Sequence, residues 1–134
     1  MLISKKLENA INKQIGAEFA ASLQYISIAA YFDSDDLPQL AAFFYRQGEE
    51  EKMHALKFAN YLVDAGGQVR IPAIAETKYD FKSAEECAEL AVAWENDHPG
   101  RRRSIIFRHR FLYGGHQGHS AGWSRHRSGN SRRN

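Results

Sequence analysis

Two long segments of the chain repeat apolar positions at the spacing of one helix face. Residues 7–32 contain no proline and a single glycine, and steps of four and three residues connect Ile11, Ile15, Glu18, Ser22, Tyr25, Ala29 and Phe32. The same steps form a second stripe through Leu40, Phe44, Gln47, Glu51, His54, Phe58 and Tyr61. This is the period of the α-helix, so we predict helices over about residues 4–33 and 38–65. Because only a short turn separates them, the two helices must lie antiparallel.

A third helix is predicted after a long connection that has no helical period. Residues 67–82 contain Pro72 and can span about 50 Å at roughly 3.3 Å per residue, enough to follow the length of a long helix. Ser83 and Glu86 have the spacing of a capping box, which predicts a helix over about 83–97. Pro99 ends it, because a residue before proline is disfavoured in helical geometry. Residues 1–97 therefore form an all-α domain.

The tail after residue 97 has a different composition. Residues 1–97 hold all 16 acidic residues and nine of the 18 basic ones, a net charge of −7, whereas residues 98–134 hold nine basic residues and no acid, a net charge of +9. The tail also contains five of the six histidines and six of the ten glycines. Such a segment buries too little apolar surface to offset its chain entropy, so we expect this basic Gly/Ser/His/Arg-rich tail to be disordered or irregular. Its charge allows weak, non-specific contact with nucleic acid.

Two further features limit the class of protein. The chain does not open with an apolar run of signal or membrane-spanning length, so we expect no membrane association and a cytoplasmic location. Cys87 is the only cysteine, which excludes an intramolecular disulfide and leaves too few thiols for a zinc or iron–sulfur site. On a helix face, Cys87 is most simply a small buried hydrophobic residue.

The helical stripes carry charged side chains that a protein interior does not accept without a partner. Glu51 and His54 are three residues apart and share a face of the second helix, while Glu18 and Glu95 hold inward positions on the first and third. Burying an unpaired carboxylate costs on the order of several kcal/mol. Several carboxylates can share a small space if divalent cations neutralise them, and oxygen ligands with one nitrogen suit Fe(II) with positions open to O2.

Each of these residues taken alone has a simpler interpretation. His54 could be a core histidine that hydrogen bonds to a neighbour. Glu51 could belong to a run of charged surface residues. Tyr25 could be an ordinary tyrosine that packs with its hydroxyl towards solvent. Their joint occurrence on the inward faces favours metal binding. His98 formally completes a second Glu-x-x-His motif, but Pro99 pulls it out of helical geometry, so we do not include it among the ligands.

A series of short motifs runs in a characteristic order through the first 96 residues. They are Asn-Lys-Gln-Ile-Gly-Ala-Glu over 12–18, Tyr25, Tyr31-Phe32 with Leu37-Pro38, Glu-Glu-Lys-Met-His-Ala over 50–55, and Gly66-Gly67 with Ile71-Pro72. Together they resemble a bacterial non-haem ferritin. The resemblance implies a ferritin-like four-helix bundle in which the end of the third helix and the fourth helix are missing or replaced by an atypical tail.

The same resemblance implies a function in iron storage and detoxification. The chain would be a ferroxidase that oxidises Fe(II) to Fe(III) with O2 or peroxide and deposits ferric mineral inside a homo-oligomeric shell of twenty-four subunits. Relatives with haem take their haem iron from a methionine two positions before the metal-binding histidine. Lys52 stands at that position, so we expect no haem.

The resemblance also assigns residues to a non-haem di-iron centre. Its metal site would comprise Glu18, Glu51, His54, Glu95 and Glu50. Glu18 and His54 would hold the first iron, Glu51 would bridge both ions, and Glu95 would hold the second, with Glu50 close by. Tyr25 would act beside Glu51 in catalysis as a redox-active or hydrogen-bonding phenol.

No fourth helix is recognisable after Asn96, and this leaves alternatives open. Ligands from that helix would be missing, so ferroxidase activity is expected to be reduced or absent. Three helices cannot close a four-helix core, so an apolar groove should be exposed. The chain could instead be a truncated or frame-shifted ferritin fragment with a structural role only, or a ferritin-like protein that binds DNA through its basic tail.

Overall fold

Three α-helices make up the described part of the chain. The computed structural model describes residues 3–96, with α1 over Lys5–Ser34, α2 over Pro38–Asp64 and α3 over Ala84–Asn96. The first two helices begin and end within one residue of the bounds predicted from the apolar period, and α3 begins one residue after its predicted start. The predicted basic tail, residues 98–134, lies outside the described residues. Among residues 3–96, no helix has the length and apolar character needed to cross a membrane.

Side-chain hydrogen bonds fix where α1 and α3 begin. The Ser4 hydroxyl accepts a hydrogen bond from the Leu7 N–H at 3.2 Å and caps α1. The Ser83 hydroxyl accepts from the Glu86 N–H at 3.1 Å, as the capping-box spacing predicts. The Glu86 carboxylate accepts from the Lys82 N–H at 2.7 Å, so the return bond of the box reaches one residue further back than Ser83.

An aromatic layer closes the turn end of the hairpin formed by α1 and α2. Phe44 stacks on Phe32 with ring centroids 5.5 Å apart and on Tyr25 with centroids 6.0 Å apart. All three side chains are buried. Asp36, in the left-handed region with φ 56°, and Pro38, in the first turn of α2, reverse the chain beside this layer. The two helices are therefore antiparallel, as predicted.

Helix α3 packs against the hairpin through a face of small side chains. Cys87, Ala88 and Ala91 are buried on this face. Just before the helix, the Phe81 ring meets the Tyr31 ring of α1 edge-on, with centroids 5.2 Å apart. Cys87 thus occupies the buried position predicted for it, and burial raises the pKa of its thiol to about 12.

The connection between α2 and α3, residues 67–82, is called the crossover, and two buried amide side chains of α1 hold its backbone. Asn12 accepts from the Arg70 N–H at 2.7 Å and donates to the Gln68 carbonyl at 2.9 Å. Gln24 accepts from the Lys78 N–H at 3.0 Å and donates to the Lys78 carbonyl at 2.9 Å. Asn12 contacts the start of the crossover and Gln24, later in α1, contacts a later part of it. The crossover therefore runs parallel to α1, and α3 begins beside the end of α1.

Gly16 lets the crossover lie against α1, and its substitution should be destabilising. A β-carbon at Gly16 would overlap the ring of Pro72. Overpacking of this kind costs about 1–3 kcal/mol, partly offset by about 1 kcal/mol because alanine is a better helix former than glycine. We expect Gly16→Ala to lower the free energy of unfolding in urea by about 1–2 kcal/mol.

The matched background is Pro72→Ala, which removes the part of the ring that would collide. The Pro72 Cβ that remains lies 3.7 Å from the position of the new methyl group, an ordinary contact. In that background Gly16→Ala should become neutral or stabilising by up to about 1 kcal/mol. Equal losses in both backgrounds would mean that the close approach does not determine the effect.

We expect the contribution of Glu8 to the free energy of unfolding to depend on pH, because its carboxylate holds the crossover. Its carboxylate pairs with Lys5 Nζ at 2.7 Å and accepts from the Gln68 N–H, and these two bonds hold the pKa of Glu8 below its usual range. A carboxyl group with a depressed folded-state pKa stabilises the fold above its unfolded pKa of about 4.3 and loses that effect as the pH falls through the folded value.

The variant Glu8→Gln should therefore be less stable than the wild type at pH 7, with a difference that shrinks as the pH falls below about 4. Urea unfolding of both proteins at pH 7 and at pH 3.5 checks this. Glu76→Gln, an exposed position on the crossover, is the control. A difference for Glu8→Gln that is independent of pH would show that the charge of Glu8 does not hold the crossover.

Candidate metal centre

Helices α1 and α2 approach each other closely at the middle of the hairpin. The Ser22 hydroxyl donates to the Gly48 carbonyl at 2.7 Å, about one turn from Glu18 and Glu51. A β-carbon at Gly48 would lie 2.9 Å from Ile26 Cγ1 and 3.1 Å from the Ser22 carbonyl oxygen, so glycine permits the approach. The short distance between the helices brings side chains from both into one cluster.

Three side chains with metal-ligand atoms meet at this position. One ligand atom from each of Glu18, Glu51 and His54 lies within 4.8 Å of the other two. His54 Nδ1 is 3.3 Å from Glu51 Oε2 and 3.7 Å from Glu18 Oε2. Donors that bind one ion at about 2.1 Å lie roughly 3–4 Å from one another. Side-chain movements of about 1 Å or less would therefore close the cluster around a cation.

The three side chains of this cluster differ in burial. The side chains of Glu18 and Glu51 are 8% and 5% exposed, whereas that of His54 is 46% exposed. Two carboxylates in a space that excludes water repel each other, and a bound cation offsets the repulsion. The cluster is thus rich in anionic oxygen, and its imidazole lies on the side from which an ion in solvent can approach.

Sequence reasoning missed a fourth side chain that contacts the cluster. Gln14 Nε2 donates to Glu18 Oε1 at 2.9 Å, while Oε2 of the same carboxylate faces His54. Gln14 precedes Glu18 by four residues, so the two side chains are neighbours on the surface of α1. That spacing, an amide one turn before an inward glutamate, is the pattern that could have identified it.

Of the other predicted site residues, the structure describes the side chains of Tyr25 and Glu50. Tyr25 is buried in the aromatic layer, two turns beyond Glu18. Glu50 is exposed and is not a member of the cluster. The side chain of Glu95 and the whole of His98 lie outside the described residues. The roles of Tyr25, Glu50 and Glu95 therefore stay predictions.

An open apolar groove adjoins the cluster on the side of His54. Its volume is about 540 Å³, and it is lined by Leu7, Ile11, His54, Lys57, Phe58 and Tyr61. Tyr61, which the stripe predicts to point inward, is 52% exposed at this groove. The described α3 has 13 residues and is about 20 Å long, against 30 residues and about 45 Å for α1. It begins beside the far end of α1, so among residues 3–96 it does not cover this half of the hairpin.

Comparison with known proteins places these features in a family. Residues 8–104 match the Ferritin-like domain family. Ferritin BfrB of Mycobacterium tuberculosis is 39% identical over 103 residues, which are 75% of this chain and 57% of that protein. The bacterial non-heme ferritin of Staphylococcus aureus is 33% identical over 96 residues, 72% of this chain and 58% of that protein. The chain thus spans somewhat more than half the length of these relatives.

A solved structure has the same fold. The open pore ferritin of the hyperthermophilic archaeon Archaeoglobus fulgidus matches with a TM-score of 0.68 and 31% sequence identity, covering 80% of this chain and 65% of that one. The predicted all-α, ferritin-like fold is thereby confirmed. With a family match over most of its length, the three helices in the expected order and a carboxylate–histidine cluster between the first two, the chain belongs to the ferritin family.

Proposed function

We propose that this chain binds Fe(II) as its substrate at the cluster and oxidises it with O2 or peroxide, for storage and detoxification of iron as ferric mineral. The observation that supports this best is the convergence of Glu18, Glu51 and His54 within 4.8 Å. Carboxylate oxygens with one imidazole nitrogen suit Fe(II) and leave positions open for the oxidant. Fe(III) carries one more positive charge, so buried carboxylates bind it more strongly than Fe(II) and favour the oxidised product.

The electrons and protons of the proposed reaction balance for either oxidant. Two Fe(II) ions release two electrons in becoming Fe(III). O2 accepts both electrons with two protons and leaves as hydrogen peroxide, or peroxide accepts them with two protons and leaves as two water molecules. The protein side chains bind the ions, hold them together and admit them from solvent at His54.

The finer arrangement that we propose is a non-haem di-iron centre. Glu18 and His54 hold one iron, Glu51 bridges to the second, and Glu95 holds that second iron. The Tyr25 phenol serves as a nearby redox-active or hydrogen-bonding group. Glu95 is the one residue assigned to the second iron alone, so we propose that the second iron binds more weakly than the first.

We further propose that the chain works as a homo-oligomeric shell in the cytoplasm. Large apolar side chains exposed on the hairpin, among them Leu23, Met53 and Val63, offer surface for contact between copies. Size exclusion with light scattering tests this, because a shell elutes as one discrete particle of many subunits. A monomer or a continuous range of aggregates would contradict assembly.

Stopped-flow absorbance tests the oxidation step. Metal-free protein is loaded anaerobically with two Fe(II) per chain and mixed with buffer containing O2, and the ferric absorbance is followed in the near ultraviolet. The proposal requires formation of Fe(III) faster than in protein-free buffer, and inhibition when Zn(II) occupies the cluster first. A rate equal to that of buffer would contradict it, and together with a discrete particle it would leave only the structural role.

A further inference from the structure

Gln14 contacts the proposed iron ligands without being one of them. We propose that Gln14 is a positioning residue for iron binding: its amide holds one oxygen of Glu18 so that the other oxygen is presented to the metal. The inference rests on the proposed function, because it assigns Glu18 to the metal site. In this role, Gln14 orients the Glu18 carboxylate before an ion binds.

The geometry divides the two oxygens of the Glu18 carboxylate between two neighbours. Oε1 accepts the hydrogen bond from Gln14 Nε2 at 2.9 Å, a normal length for such a bond. Oε2 lies 3.7 Å from His54 Nδ1, within the cluster. The bond to Gln14 therefore fixes the carboxylate plane with Oε2 on the metal side. Because Oε1 accepts this bond, the ion meets the carboxylate through Oε2.

Helix geometry makes this contact available before any metal binds. Gln14 and Glu18 are four residues apart in the middle of the 30-residue helix α1, so their side chains lie one above the other. The last torsion of a glutamate side chain is broad and has no strong preference of its own. The Gln14 amide, on the same helix, donates to one oxygen and so favours one orientation of the Glu18 carboxylate.

An amide suits this position better than a charged donor. Lysine or arginine would also donate to Glu18, but a positive charge a few ångströms from the ion would repel a divalent cation. The glutamine amide donates without a net charge, so it orients the carboxylate without opposing the metal. Partners that orient metal ligands in this way typically contribute about 10–100-fold to metal affinity.

Titration of the metal-free, full-length protein with Co(II) tests the inference through visible absorption of the bound ion. The test variant is Gln14→Met, which keeps the length of the side chain and removes the amide donor. We expect the dissociation constant to rise about 10–100-fold. We also expect the band of the bound Co(II) to weaken per ion, because the released Oε1 can bind as an extra donor and raise the coordination number.

The matched control is Gln39→Met, an exposed position in the first turn of α2, which should bind Co(II) as the wild type does. If Gln14→Met also binds like the wild type, with the same band, the positioning role is overturned and the proposed function stands. Weaker binding with an unchanged band, in parallel with loss of helical circular dichroism, would show a merely structural role and overturn the inference. Failure of the wild type to bind Co(II) would overturn the proposed function, and this inference with it.

Discussion

Glu51→Gln is expected to slow Fe(II) oxidation by at least about 100-fold in the stopped-flow experiment. Loss of a residue that only orients a metal ligand costs about 10–100-fold, and Glu51 is proposed as a ligand in its own right. It is buried, and its Oε2 lies 3.3 Å from His54 Nδ1. Glutamine keeps the volume of the side chain but removes the anionic oxygen that would hold the cation.

A neighbouring glutamate provides the control for this variant. Glu49 lies two residues earlier on α2 and is exposed, so Glu49→Gln should keep the wild-type rate. Metal-free Glu51→Gln should keep the helical circular dichroism of the wild type, because glutamine preserves the volume of the buried side chain. Wild-type oxidation in a folded Glu51→Gln protein would show that iron is oxidised elsewhere in the chain.

Phe44→Ala is expected to have the largest effect on stability, a loss of about 3–5 kcal/mol in the free energy of unfolding. Phe44 is buried between Tyr25 and Phe32 and stacks on both rings. Its truncation leaves a cavity in the aromatic layer, and the two helices that line it can collapse only in part. Urea unfolding of the metal-free protein, followed by circular dichroism, measures the loss.

A variant of Tyr45, the aromatic residue next to Phe44, shows whether burial causes the loss of stability. Tyr45 follows Phe44 on α2 but is 39% exposed, so Tyr45→Ala should cost less than about 1 kcal/mol. Similar losses for the two variants would mean that the aromatic layer is not the main stabilising contact of the hairpin. A loss near 5 kcal/mol for Phe44→Ala alone can leave the protein largely unfolded, since small domains are stable by only about 5–15 kcal/mol.

The sequence predicts the helices, and the inward direction of Glu18 and Glu51, because each of these depends on the apolar period of a single helix. The apolar period places Glu18 and Glu51 inward, and both are buried. The Ser83 cap is equally local and is present at the start of α3. His54 lies on the same stripe but is 46% exposed, because a stripe gives the direction of a side chain around its helix and not whether another element covers it.

The contacts that sequence reasoning missed join segments that are far apart or depend on fine geometry. Asn12 and Gln24 bind backbone groups 54 to 58 residues away, and no local period records such a pairing. At Gly16 and Gly48, atoms of other segments lie where a β-carbon would need space, so only glycine fits without a shift. Gln14 is on the same helix as its partner, but a glutamine in a helix is too common to be singled out by type.

The burial of Cys87 protects its thiol from the oxidant that the proposed reaction releases. Peroxide reacts with the thiolate form of cysteine, not with the protonated thiol. Burial raises the pKa of the Cys87 thiol to about 12, so the thiol is protonated at pH 7, and the whole side chain is buried. Under the proposed function, hydrogen peroxide released at the iron site would therefore leave this buried thiol reduced and the packing of α3 unchanged.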